Sequence, residues 1–510
     1  MAARALLIVP PFIKYDAGPL LGPALLQAAA KSSGQICSVL DLNALWIQDH
    51  RRHLLGGQHE RKFDKPFFQG DHNKPLDNSL TFLEQLWAKK LLNGSNLEDP
   101  KAQNLWRSSQ FGFFNHDEIQ SRASQLASSS FGSWVCEYLI RAQLDETFLI
   151  QKSSAGPPQV VGLSLLHAGQ VIPAAAITAL ARKVWPGCFI LWGGPHVTGL
   201  GKAISQDLGR RQALAADLFI QGHAEETFVE VLNHIGSQSR QLPPVLQARR
   251  GKINSQPIVP LFENLDWYRH PLTLPVQASL GCAYGKCAFC TYPKMEGKPV
   301  LLSIEETVGN IVRQAIKLGA QKCSGISLKD SLVTTNRLRD IAQCVRGQVH
   351  WSACTKLSPR LADGRILKYL SDNGLMTLEV GLESLLPDTQ RRIGKVQAQS
   401  LFQDFVAQVC GVPDLSLVVN YMTGFPFEDP GHALEKLVEV QELVDGHLNS
   451  GIGFTGRSAH QSVALRGKVE HNIFELERLS PMAQNPSRYG IDTKKLRLWP
   501  WASVIEKVSN

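Results

Sequence analysis

A chain of 510 residues is too long for one ordinary hydrophobic core, so two or three domains are expected. With 44% hydrophobic and 19% charged residues and no low-complexity tract, the composition is that of a folded protein and excludes a disordered one. The formal charge of +8 is modest, and Lys and Arg alternate with Asp and Glu. The chain therefore lacks the basic stripe of a nucleic-acid binder, and no apolar run approaches the roughly 20 residues of a membrane span.

At the N-terminus, MAARALLIVPPFIKYD carries a short apolar run interrupted by Pro10 and Pro11, with no small-residue cleavage site behind it. It reads as a first buried strand rather than a signal peptide, and the expected compartment is the cytoplasm. An amphipathic helix (21–34, stopped by Gly34), the strand ICSVLDLN (36–43) and the strand VVGLSLL (160–166) follow. Next come the helix 173–185, CFILWGG (188–194), LFIQG (218–222) and the helix 225–235. Fully apolar strands spaced by helices predict a parallel sheet covered on both faces. The interval 45–150 breaks this rhythm with polar, Trp- and Phe-spotted helical stretches such as 80–92 and 133–150, and it is too long for a loop. It is expected to be a mostly helical insertion in a doubly wound domain spanning 1–236. The segment 237–268, with four prolines and little periodicity, reads as a linker.

The second half, 269–460, repeats the alternation. LPVQASL (274–280), SGISL (324–328), VHWSAC (349–354), MTLEVGL (376–382), LSLVVNYM (415–422) and GIGFTG (451–456) are its strands. Six βα units in a row predict a partial (β/α)6 barrel with its site at the C-terminal strand ends. Residues 461–510 are expected to close the barrel mouth.

Directly after the first barrel strand stands 279-SLGCAYGKCAFCTYP-293, the one cluster among ten cysteines. Cys37, Cys136, Cys188, Cys323, Cys344, Cys354 and Cys410 stand alone and read as small buried hydrophobes. For Cys282, Cys287 and Cys290 two readings compete. Structural zinc wants four ligands, and the nearest histidine is His270. A [4Fe–4S] cluster held by only three thiolates leaves one iron open to bind something else.

The cysteine trio in that loop, with Phe289 just before its last member, resembles the radical S-adenosylmethionine (SAM) enzymes. The spacing here, C-x4-C-x2-C, is one residue longer than the usual C-x3-C-x2-C. The resemblance implies a [4Fe–4S] cluster on Cys282, Cys287 and Cys290, SAM on its open iron, and cleavage of SAM to a 5′-deoxyadenosyl radical. VGLES (380–384) resembles the fourth-strand segment that meets SAM, which transfers that role to Glu383 and Ser384. VVNYMTGFPFED (418–429) resembles the fifth-strand segment, with Asn420 and Gly424 as contacts. Asp330 stands where related enzymes carry a second-strand acidic motif, and Phe289 completes the SAM set. For each, ordinary turn and helix-start chemistry is the alternative.

The first half has no G-x-G-x-x-G, which disfavours a dinucleotide site. The stretches 160–169, 188–199 and 218–228 instead resemble the Rossmann-like cobalamin-binding domain preceding the barrel in one radical SAM subclass. By that resemblance Ser164, Gly193 and Gly194 line the tunnel for the nucleotide tail, and His167 and His196 lie on loops near the corrin. The loop PPFIKYDAGPLLG (10–22) contains no histidine to ligate cobalt from below.

The resemblance implies a cobalamin-dependent radical SAM methyltransferase acting on a carbon centre of a peptide or natural-product intermediate. Its expected partners are that substrate and an electron donor such as flavodoxin or ferredoxin, with no nucleic acid and no membrane. Two alternatives stand beside it: a cyclase or rearrangement enzyme with the same cofactors, and a non-enzymatic corrinoid- or zinc-binding protein using His270.

Overall fold

The structure, a computed structural model, describes residues 2–13, 17–54, 99–144, 156–204, 216–237, 242–248, 257–450 and 465–507. The chain divides into two compact units. One comprises Met1–Asn254, Pro260–His270 and Leu498–Glu506; the other comprises Ser255–Val259, Pro271–Arg497 and Lys507–Asn510. Among the described residues no helix is long and apolar enough to cross a membrane.

The first unit is built on six parallel strands: β1 (Arg4–Val9), β2 (Ile36–Asp41), β3 (Val160–Ser164), β4 (Phe189–Gly193), β5 (Leu218–Gln221) and β6 (Val245–Gln247). Their order is β2-β1-β3-β4-β5-β6, a doubly wound sheet whose direction of winding reverses between β1 and β3. ALLIV, after Arg4, and FILWG are apolar because helices cover both faces of the sheet. Helices Pro100–Phe111, His116–Ala127 and Ser130–Leu144 occupy the expected insertion. Asp99 caps the first of them, and Asn115 with Glu118 forms a capping box at the second. The helical stretch read at 80–92 lies outside the described residues.

Two boundaries need correction. The stretch read as a linker, 237–268, contributes β6, paired to β5 through Phe219↔Val245 and Ile220↔Leu246. Its last part, Pro260–His270, also packs into the first unit, where Tyr268 donates to Asp41 Oδ2 at 2.8 Å and Gln27 donates to Glu263 at 2.8 Å. The C-terminal extension is likewise not one piece. Leu498–Glu506 belongs to the first unit, and Trp501, 1% exposed, packs against Trp192 and Phe219 with ring centroids 5.8 and 6.2 Å away.

Asp41 closes β2 and carries a charge problem. It is 3% exposed and accepts from Ala44 N–H at 2.8 Å and from Tyr268. Burial outweighs these bonds and pushes its carboxyl up to about 6. Between about pH 4 and pH 6 the folded chain therefore holds a proton that the unfolded chain releases, so stability falls as pH rises through that window. The loss from this group is roughly 3 kcal/mol at most. The expected result is that Asp41→Asn flattens the decline, read from urea midpoints at pH 4, 5, 6 and 7; an unchanged slope would show that Asp41 titrates normally.

The second unit carries a parallel six-stranded sheet in the order β14-β13-β12-β11-β10-β7. Its strands are β7 (Leu272–Val276), β10 (Cys323–Leu328), β11 (His350–Thr355), β12 (Leu375–Glu383), β13 (Ser416–Thr423) and β14 (Gly467–Ile473). A short antiparallel pair, β8 (Ser279–Leu280) and β9 (Val300–Leu301), flanks the cysteine loop. The sixth strand is thus Gly467–Ile473, beyond the expected domain end at 460; the strand read at 451–456 lies outside the described residues.

Along β13, Leu417, Val419, Tyr421 and Thr423 are buried, while Val418, Asn420 and Met422 are only half-buried. The less buried face is polar across the sheet. Ser352 donates to Ser327 at 3.1 Å, Thr273 and Ser324 hydroxyls lie 3.2 Å apart, and Asn420 donates to Glu379 at 2.6 Å. This fold therefore presents a polar surface on the inner side of its sheet, where a closed apolar core would otherwise stand.

Candidate active site

The three cysteines lie between β8 and the short helix Tyr292–Met295, all half-buried. Gly285 N–H points at Cys282 Sγ at 3.4 Å, and Cys290 N–H donates to Cys287 O at 3.3 Å, which curls the loop so that its thiols share one neighbourhood. Burial pushes the Cys287 thiol up to about 11; Lys395 pulls it down most strongly, and Glu383 and Cys282 push it further up. Burial likewise lifts Cys290 to about 12, with Tyr292 N–H opposing and Cys287 and Cys282 reinforcing. Thiols in this state bind metal by losing protons to it, so uptake favours higher pH.

Among the described residues no three His, Cys, Asp or Glu side chains converge as ligands of a single metal ion. A four-iron cube has a different requirement, one thiolate per iron on separate corners, and the loop offers three free, half-buried cysteines for it. His270, the fourth ligand of the zinc reading, belongs to the other compact unit, where its Nε2 lies 3.4 Å from Asp266 Oδ1.

Glu383 ends β12 in the left-handed region, φ +66°, just after a register shift between Gly381 and Glu383. A non-glycine residue there costs about 1–2 kcal/mol and persists only where its surroundings enforce it. The enforcement is visible: Lys395 Nζ holds Glu383 Oε1 at 2.9 Å, Gln397 donates to Gly381 O at 3.2 Å, and Gln390 donates to Ser384 O at 2.8 Å. Ser384 is 1% exposed, and its hydroxyl accepts from Leu386 N–H at 3.2 Å; it braces the turn from inside.

Phe289 packs on Phe425, centroids 5.9 Å apart, so the cysteine loop meets the segment of Gly424, which turns at φ +86°. Asn420 sits deeper, level with Gly381, bonded to Glu379.

Asp330 stands just after the second barrel strand, as its position in sequence indicated, and its carboxylate is engaged by the chain itself. Its carboxylate accepts from Ala278 N–H at 3.0 Å and from Ser279 N–H and Oγ, each at 2.5 Å. Arg337 completes the clasp by donating to Ala278 O at 2.6 Å and to Leu302 O. Both side chains are thus committed to the backbone that launches the cysteine loop.

Sequence reasoning missed three residues at this loop. Lys395 pairs with Glu383. Lys356 Nζ stands 4.9 Å from the Tyr284 ring centroid, and Tyr284 OH donates to Gly394 O at 2.5 Å. The available signal was Gly394–Lys395 behind a helix that begins at Pro387, placing a cation a short way beyond Glu383.

In the first unit, Ser164 and Gly193 are register partners at the ends of β3 and β4, both half-buried. Gly194 turns at φ +100°, where a Cβ would meet Leu165 O at 2.5 Å, so only glycine fits. The β1 and β3 loops are tied at the winding reversal: Gln170 donates to Pro10 O at 2.5 Å and accepts from Leu166 N–H at 2.6 Å. His167 is exposed on that loop. His196 is 3% exposed and its Nε2 lies 3.1 Å from Trp501 O, an internal bond within this unit.

No family model matches the chain. It is similar to the uncharacterised methyltransferase PH0819 of Pyrococcus horikoshii, 25% identical over 297 residues, covering 53% of this chain and 61% of that protein. It is also similar to the ribosomal protein uS12 methylthiotransferase RimO of a Synechocystis species, 27% identical over 206 residues, 36% of this chain and 44% of that protein. The chain thus spans under two thirds of the length of either relative. Among solved structures it resembles the radical SAM methyltransferase TsrM of Kitasatospora setae with cobalamin and [4Fe–4S] cluster bound, at TM-score 0.57 and 13% identity, over 95% of this chain and 74% of that one. It resembles the cobalamin-dependent SAM radical enzyme OxsB, with aqua-cobalamin and SAM bound, at TM-score 0.60 and 11% identity, over 99% of this chain and 64% of that one. These likenesses show the fold: a Rossmann-like α/β unit and a TIM-like partial barrel.

Proposed function

We propose that this chain is a cobalamin-dependent radical SAM enzyme that methylates a carbon centre of a peptide or natural-product intermediate. The observation that carries the reading is the loop of Cys282, Cys287 and Cys290, launched from the first strand of a parallel six-stranded sheet and faced by the strained Glu383. When bound, the cluster supplies the electron that cleaves SAM to a 5′-deoxyadenosyl radical, and cobalamin supplies the methyl group.

The chain's own task is to hold, orient and exclude water. Cys282, Cys287 and Cys290 are the cluster ligands, leaving one iron for SAM. Glu383, held in place by Lys395, is the acceptor for the amino group of SAM, and Ser384 braces its turn. Phe289 and the Gly424 turn wall the adenosine side. Asn420, bonded to Glu379 on the polar inner face, is the fifth-strand contact for SAM. In the first unit Ser164, Gly193 and Gly194 stand together at the ends of β3 and β4, where the nucleotide tail of cobalamin would run, and the exposed His167 lies on the loop after β3. The partners are the substrate and a low-potential electron donor of the flavodoxin or ferredoxin kind.

Anaerobic reconstitution with iron, sulfide, hydroxocobalamin and SAM tests this. The expected outcome is a brown chain with about four irons and four sulfides, one corrin, and deoxyadenosine on reduction. A colourless chain with one zinc would overturn the reading, and deoxyadenosine without a methylated product from any supplied substrate would shift it to cyclisation or rearrangement.

A further inference from the structure

The residues that end the helix Pro387–Ile393 meet the cysteine loop. Ile393 O accepts from Ala288 N–H at 2.8 Å, and Gly394 O accepts from Tyr284 OH at 2.5 Å. Gly394 itself turns at φ +72° with a Cβ position 2.7 Å from Lys286 O, so the approach tolerates glycine alone. Lys395, the next residue, sets its ammonium against Glu383. Its side chain is 9% exposed and pairs at 2.9 Å with Glu383, whose side chain is 12% exposed.

We infer that Lys395 is a positioning residue that sets the reduction potential of the cluster held by this loop, with Glu383 as its opposing charge. This rests on the reading of the loop as an iron–sulfur site. The physical reason is charge. One-electron reduction makes a thiolate-bound cube one unit more negative, and a buried ammonium nearby favours that state, whereas a buried carboxylate opposes it. Of the two partners, Lys395 is carried by the segment that grips the loop, following directly on Gly394, whose carbonyl accepts from Tyr284. Burial alone would drive the Lys395 ammonium toward neutrality, but its ion pair with Glu383 keeps it charged. The bracket therefore serves two ends at once, fixing the loop through backbone bonds and biasing its electron affinity through one side chain.

The test is a redox titration of the reconstituted holoprotein without SAM, with titanium(III) citrate as reductant and the reduced cluster read by electron paramagnetic resonance. Lys395→Met is expected to disfavour reduction tenfold or more, a fall of about 59 mV. Glu383→Gln is expected to move the potential the opposite way, and Lys395→Arg to restore it to near the wild-type value. Should Lys395→Met fail to take up iron, Glu383→Gln decides alone: a rise supports the inference, and an unchanged or lower potential overturns it. Wild-type protein that forms a cluster, with both variants unmoved, overturns this inference only. Wild-type protein that takes up no iron overturns the cluster reading together with it.

Discussion

Replacing Cys287 with alanine is expected to reduce deoxyadenosine formation to background while hydroxocobalamin binding survives. Two thiolates cannot hold a four-iron cube that already makes do with three, so the loss is total rather than graded. Corrin binding is expected to persist because Ser164, Gly193 and Gly194 belong to a separate compact unit with its own sheet and core. The measurement pairs chromatography of SAM products with the corrin absorbance of the desalted protein. Retained deoxyadenosine in Cys287→Ala would count decisively against the assignment.

The second large effect is expected at Asp330. Its carboxylate serves two backbone N–H groups and one hydroxyl, all buried, at the point where the cysteine loop begins. Asp330→Ala leaves those donors without acceptors in a site closed to bulk water, at a cost of about 3–5 kcal/mol. Asp330→Asn keeps one acceptor oxygen and is expected to lose roughly half as much. Urea unfolding of the apo chain reads the stability, and iron content after reconstitution reads the consequence for the loop. A variant of wild-type stability that instead lost only SAM binding would return Asp330 to the cofactor-contact role indicated by its sequence position.

Much of this architecture was legible in the sequence because it is written in local, repeated signals. ALLIV, VVGL and FILWG are apolar along both faces, which fits a covered parallel sheet. The cysteine trio announced itself by spacing, and the strand before it fixed its place at the end of β7.

What escaped notice depends on partners distant in sequence. β6 is three residues long and half-exposed, so nothing in VLQ marks a strand until β5 is beside it. β14, reading GKVEHNI, is an edge strand whose polar residues hide the period-two pattern. Lys395 looked like any lysine after a helix; only the strained turn at Glu383 gives its charge a use. Asp330 was drawn to the correct end of the sheet but given a ligand's role. A buried acid with two neighbouring N–H groups within reach satisfies itself on the backbone first.

Trp501 carries a consequence for how the molecule is made. Its indole fills the hydrophobic interior of a domain whose strands are translated long before it, beside Trp192 and Phe219. While the ribosome is still producing the barrel, the N-terminal domain must wait with that place unfilled and its aromatic lining open to solvent or to a chaperone. The half that emerges first is therefore completed last, and a fragment cut between the two domains lacks that indole.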